Sequence, residues 1–180
     1  ETAMNTDFLG YALNSFALSS LAATLAVAIG LFMAYAVRLR NERLLKFMVR
    51  LASLGYAVPG AVLAVGILVT LGSLDNGIDG FMQRTFNIST GLLLSGTIAA
   101  VTFGYLVRFL ALSFGAIEAS LAKITPNMDG AARSLGHGAF STLRWVHMPM
   151  IRGTILTAGI LVFVDCMKEL PLTTILRPFN

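Results

Sequence analysis

Between Asp7 and Arg38 the chain runs for thirty residues without a charged side chain. A helix rises 1.5 Å per residue, so about 20 such residues cross the roughly 30 Å of hydrocarbon in a bilayer. The run predicts a membrane-spanning helix near 13–37. Three further runs repeat the pattern: 51–74 between Arg50 and Asp75, 85–107 between Arg84 and Arg108, and one from Gly153 that Asp165, Lys168 and Glu169 interrupt before it resumes to about Leu176. These place the other spans near 51–74, 86–108 and 153–176. Hydrocarbon offers a backbone no partners, and helices satisfy their own, so the expected fold class is all-α, a polytopic transmembrane helical bundle in one domain over 1–180. Composition agrees: 12% of residues are charged, against about 25% in ordinary soluble domains.

Local signals refine the spans. Pro59 predicts a bend within the second. Asn76-Gly77 and Asp79-Gly80 are turn signals, so 75–84 reads as a polar connection. Arg108 reads as a boundary residue that snorkels toward headgroups. Glu1 and Asp7 are acidic with no basic segment before the first apolar run, which argues against a cleavable signal and for an excerpt of a longer membrane protein. The single cysteine, Cys166, excludes an internal disulfide and reads as an apolar packing residue.

Charge sets the orientation. Of 13 lysines and arginines, five lie in 38–50 and five in 108–152, two segments separated by two spans. Both therefore face one side, and excess Lys and Arg marks the cytoplasm. The expected path starts outside, crosses four times and ends outside. Basic residues segregated between apolar runs argue for orientation in a bilayer and against nucleic acid.

This orientation puts DGAARSLGHGAFSTLRWVHMP, residues 129–149, in the cytoplasm within a loop expected over 116–150. Thr125 can cap a short helix, Pro126 suits its first position and Asp129 lies near its positive end. Gly136 stops it. Ala131, Ala132 and Leu135 are expected to share one apolar face. A second amphipathic piece carries Phe140, Leu143, Arg144, Trp145 and Met150, with Pro149 closing it.

Ala131, Ala132, Gly136, Val146, Met148 and Pro149 stand at the spacing of the motif EAA, three residues, G, nine residues, I-x-L-P, with Gly130 in place of the acidic residue. The segment resembles the cytoplasmic coupling loop of permease subunits in bacterial binding-protein-dependent ABC importers, of the type I permease kind. Residues 162–180, VFVDCMKELPLTTILRPFN, and 51–68, LASLGYAVPGAVLAVGIL, are similar to the ferric-iron subfamily. The resemblance implies an inner-membrane location and cytoplasmic ATPase subunits that grip the loop at Asp129, Gly130, Ala131, Ala132, Leu135, Gly136, Val146, Met148 and Pro149. It further implies a periplasmic binding protein and a second permease half or subunit. Other cargoes, such as thiamine, a polyamine or an anion, stay open.

Asp165, Lys168 and Glu169 are ionisable groups inside a span, which usually face water or a protein interior. Lys168 can pair with Asp165 within one turn. Two readings stand side by side, a translocation-pathway lining and a self-neutralising packing cluster; an ion-coupled secondary transporter using Asp165 and Glu169 is a more distant third. His137 and His147 read as polar loop residues and not as a metal pair. GxxxxGK, HExxH, GxSxG and CxxC are absent, so no catalytic site, bound cofactor or metal is expected, and ATP would be used by a partner.

Overall fold

The computed structural model describes residues 6–40 and 42–177; Glu1 and the final residues of the LRPFN run lie outside them. The described residues form an all-α bundle: α1 (Thr6–Leu39), α2 (Arg43–Ala52), a 3-10 turn (Ser53–Ala57), α3 (Gly60–Phe86), α4 (Ile98–Leu121), α5 (Pro126–Ser134), α6 (Ala139–Thr142), a π turn (Leu143–His147), α7 (Met148–Met167) and α8 (Leu170–Leu176). Four stretches are long and apolar enough to cross a membrane: Phe8–Leu39, Gly60–Phe86, Ile98–Leu121 and Ala139–Met167.

Helix α4 is the centre, with α1, α3, α7 and α8 packed around it. The α1–α4 crossing is close because α1 presents small residues at four-residue intervals: Ala22, Ala26, Gly30 and Ala34. A Cβ on Gly30 would lie 2.7 Å from Ser113 Oγ and 3.0 Å from the Phe114 nitrogen. Ser113 Oγ instead donates to the Ala26 carbonyl at 2.8 Å. Small residues that let backbones approach are how helices gain packing where lipid is as apolar as leucine.

Several expected boundaries move, each for a local reason. The second pass is interrupted, not bent, at Pro59, which flanks the start of α3, while Val58 before it is extended. Proline has no N–H to give and pushes its predecessor out of helical geometry. Gly55 in the 3-10 turn lies so close to α4 that a Cβ would overlap the Val107 carbonyl oxygen. The expected connection at 75–84 is helical, the last turns of α3, and the connection is 87–97. Asp75, 1% exposed, accepts the backbone N–H groups of Leu93, Leu94 and Ser95 at 2.8–3.2 Å. Asp79 Oδ1 accepts those of Thr90 and Gly91 at 2.6 and 3.1 Å. Satisfying the loop backbone uses the aspartates as acceptors and overrides their local turn preference.

Arg108 is the other correction: it is the eleventh residue of the 24-residue α4 and does not snorkel from a helix end. The fourth pass begins well before Gly153 and runs unbroken from Ala139 to Met167. Pro149 therefore does not close the preceding piece; it lies in the first turn of α7. A proline ring clashes with the carbonyl four residues earlier, here Trp145, and Trp145 lies within the π turn, whose wider winding relieves that clash. The basic stretch after α1 is itself an amphipathic helix, α2, with Val49 buried and Leu44, Phe47, Met48 and Leu51 exposed on one stripe.

Candidate functional site

The loop helix α5 starts at Pro126 with Thr125 extended before it, but the Thr125 side chain makes no capping hydrogen bond. One first-turn N–H is served without it, Met128 donating to the Thr125 carbonyl at 3.1 Å. The end follows the expected chemistry. Gly136 has φ +82, its N–H donates to Arg133 O at 2.9 Å, and His137 N–H donates to Ala132 O at 3.0 Å. That six-to-one and five-to-two closure needs a left-handed residue at Gly136.

The expected shared face of α5 splits. Ala132 is buried against the bundle, while Ala131 is exposed and Leu135 is 79% exposed. Residues four apart share a face, so Ala131 and Leu135 point outward together, and Ala132, a helical step of about 100° round, points in. Gly130 is also outward, with open space where a side chain would project. Phe140 and Trp145 are largely exposed beyond it, the Arg144 guanidinium lying 5.6 Å over the Trp145 ring. Val146 is half-buried in the π turn, and Met148 and Pro149 are exposed at the start of α7.

Asp129 does not project toward a partner; its carboxylate holds the loop to the bundle. Oδ2 lies 2.7 Å from Arg38 Nη2 and Oδ1 lies 2.8 Å from His147 Nε2. The ring N–H is not aligned for a hydrogen bond to Asp129, and Nδ1 also has no partner, so this second contact is one of proximity and charge. Arg38 also donates to the Leu121 and Ile124 carbonyls at 2.5 and 3.0 Å, the first of which also takes the Ile124 N–H at 3.1 Å, so the guanidinium fastens the turn that follows α4. Tyr35 completes the joint, its hydroxyl donating to Ala139 O at 2.7 Å and its ring meeting His147 edge to face at 5.4 Å. One carboxylate thus ties the loop helix to the end of α1 and to the turn before α7, and through Arg38 to the end of α4.

The family of binding-protein-dependent transport system inner membrane components matches residues 26–177. The chain belongs to that family. Its curated relatives include the Fe(3+)-transport system permease protein FbpB 2 of Haemophilus influenzae, 28% identical over 95% of this chain and 31% of the relative. A protein of Salmonella typhimurium provisionally named 2-aminoethylphosphonate transport system permease protein PhnV is 26% identical over 92% of this chain and 57% of its own. The chain therefore spans less than two thirds of either. It is a multi-pass inner-membrane component of the type I ABC permease kind.

In this permease Asp165, Lys168 and Glu169 do not act as one cluster. Lys168 Nζ lies 2.7 Å from Asp165 Oδ1, the expected pair, with the lysine exposed. The helix breaks between Met167 and Leu170, and Glu169 turns the other way, 3.1 Å from Arg108 Nε. A cleft of about 650 Å³ between α1 and α7 is walled by apolar residues such as Val27, Leu31, Leu156 and Ile160, and none of these charged groups line it. Among the described residues no three His, Cys, Asp or Glu side chains converge on a metal site. His137 is a polar loop residue bonded to Ser141 Oγ at 2.7 Å, but His147 is fully buried, contrary to the loop reading.

Arg38, Tyr35, His147 and Arg108 are the residues sequence reasoning missed. For Arg108 a signal existed: it is the one charge in the stretch 85–117, which reads as easily as a helix interior as a boundary. Nothing local marks Arg38 or His147, whose partner Asp129 is far away along the chain.

Proposed function

We propose that this permease is the membrane component of an ATP-driven importer, with separate cytoplasmic ATPase subunits bound at α5 and the start of α7. The observation that carries the reading is the loop helix itself: pinned beneath by Asp129 and offering Ala131 and Leu135 outward, it can pass a push to three long helices at once. Nine of the 13 basic residues fall in 38–50 and 123–152, which supports a cytoplasmic location even with Arg108 moved into α4. A periplasmic binding protein and a second permease half complete the assembly in this reading, which is that of the family.

The proposed cargo is ferric iron, on the names of relatives such as FbpB 2 and the similarity of residues 51–68 and 162–180 to that subfamily. A second reading, an organophosphonate, rests on the PhnV-like relative and on Lys168, an exposed ammonium beside a helix break. The secondary-transporter alternative has less support, because Asp165 faces Lys168 and Glu169 faces Arg108, so neither carboxylate is free to shuttle a proton. The test is uptake of labelled ferric iron and of 2-aminoethylphosphonate by the full transporter in proteoliposomes. A Leu135→Asp variant should stay in the membrane but lose ATPase co-purification and at least nine tenths of uptake. Retention of both would remove α5 as the docking element.

A further inference from the structure

Two helix breaks, one just before the second pass at Val58-Pro59 and one just after the fourth at Lys168-Glu169, meet at one arginine. Before the second pass the 3-10 turn and Pro59 leave the Val58 carbonyl without a helical donor, and Arg108 Nη1 supplies one at 2.6 Å. After the fourth pass Glu169 caps α8, its Oε1 accepting the Leu172 N–H at 3.4 Å. Arg108 Nε lies 3.1 Å from Glu169 Oε2, opposed by charge though not aligned as a hydrogen bond. Gly60, the first residue of α3, has no room for a side chain: a Cβ there would overlap Glu169 Oε1 and lie 3.2 Å from Arg108 Nη1. Arg108 and Glu169 are 18% and 10% exposed.

Backbone groups freed by a helix break at membrane depth must find partners in the protein. Here the orphan carbonyl of one break takes the cation, the orphan N–H of the other takes the anion, and the ions face each other. A guanidinium can do this because it presents several donors in a fixed fork; an ammonium is a single point charge. Moving either pass against the uninterrupted α4 separates the ion pair or the Arg108–Val58 bond, so the arrangement is discrete, made or unmade.

We propose that Arg108 is a positioning residue that latches the two breaks together, and that the change of access in this permease requires the latch to release. The proposal rests on the importer reading above. Arg108→Lys keeps the charge but lacks the fork; membrane level and ATPase co-purification should match wild type while uptake falls at least tenfold. A purely structural role would instead lower membrane level in step with uptake.

A second measurement does not depend on the cargo. Since a Cβ on Gly60 falls onto the Glu169 carboxylate, Gly60→Cys and Glu169→Cys in a Cys166→Ser background should cross-link on oxidation; with Glu169 replaced, the yield reports the separation of the two breaks and not the ion pair itself. In the complex with its ATPase the yield should fall at least threefold when ATP is added. Equal yields with and without ATP, or Arg108→Lys with wild-type uptake, would overturn the latch. Loss of ATPase co-purification by the unsubstituted chain would overturn the importer reading instead.

Discussion

The Arg38–Asp129–His147 joint and the Arg108–Glu169 contact both bring together charges from distant parts of the chain, yet they serve different backbone. At the joint, Arg38 binds carbonyls at and just beyond the end of α4, and Asp129 fastens a loop to it. At mid-helix, Arg108 and Glu169 serve backbone at two helix breaks. The first holds a short, compact element, with Arg38 and Asp129 15% and 19% exposed. The second is similarly enclosed at 18% and 10%, but opening it would leave backbone groups of two helix ends without partners. A joint of the first kind suits a part that must move as one body with what it touches, and a contact of the second kind suits a part with two alternative arrangements.

The sharpest way to break this comparison is Asp129→Ala. It leaves the Arg38 guanidinium and the buried His147 without their acid, which in a well-buried pair costs about 3–5 kcal/mol; partial exposure of Arg38 and Asp129, 15% and 19%, lowers that. Uptake should fall at least tenfold while ATPase activity of the assembled complex persists, measured in the same proteoliposomes. Preserved coupling would mean that the joint carries no load. A smaller effect is expected from Gly136→Ala, because a left-handed residue with a Cβ costs roughly 1–2 kcal/mol; partial fraying of α5 should appear as faster proteolysis of the loop. Gly130→Ala should be the mildest and of opposite sign. Its site is open, and alanine gains about 1 kcal/mol of helix propensity over glycine, so the same proteolysis should slow. A Gly130→Ala variant that weakened the loop would show that α5 depends on softness there.

The sequence reading succeeded where a property belonged to single residues or to spacing along one helix. Long uncharged runs announced four helices, and Gly136 announced the end of α5 because only its own backbone freedom was at stake. The Asp165–Lys168 pair was likewise visible, since both lie within one turn. It misplaces Asp75 and Arg108 as boundaries of apolar runs and Asp79 as part of a turn. These charges sit inside helices because other segments supply their partners: the 93–95 backbone for Asp75, the 90–91 backbone for Asp79, and Glu169 with the Val58 carbonyl for Arg108.

What the sequence determined by itself is thus the all-α class, the membrane and the position of the loop helix, since hydrophobic run length, basic-residue bias and glycine conformation are local quantities. Tertiary structure alone decided that Asp129 faces inward, that Ala132 and Ala131 part company, and that two helix breaks meet at Arg108. Those outcomes depend on which charge or carbonyl lies across a helix crossing, and a buried polar group takes whatever partner the packing brings within about 3 Å.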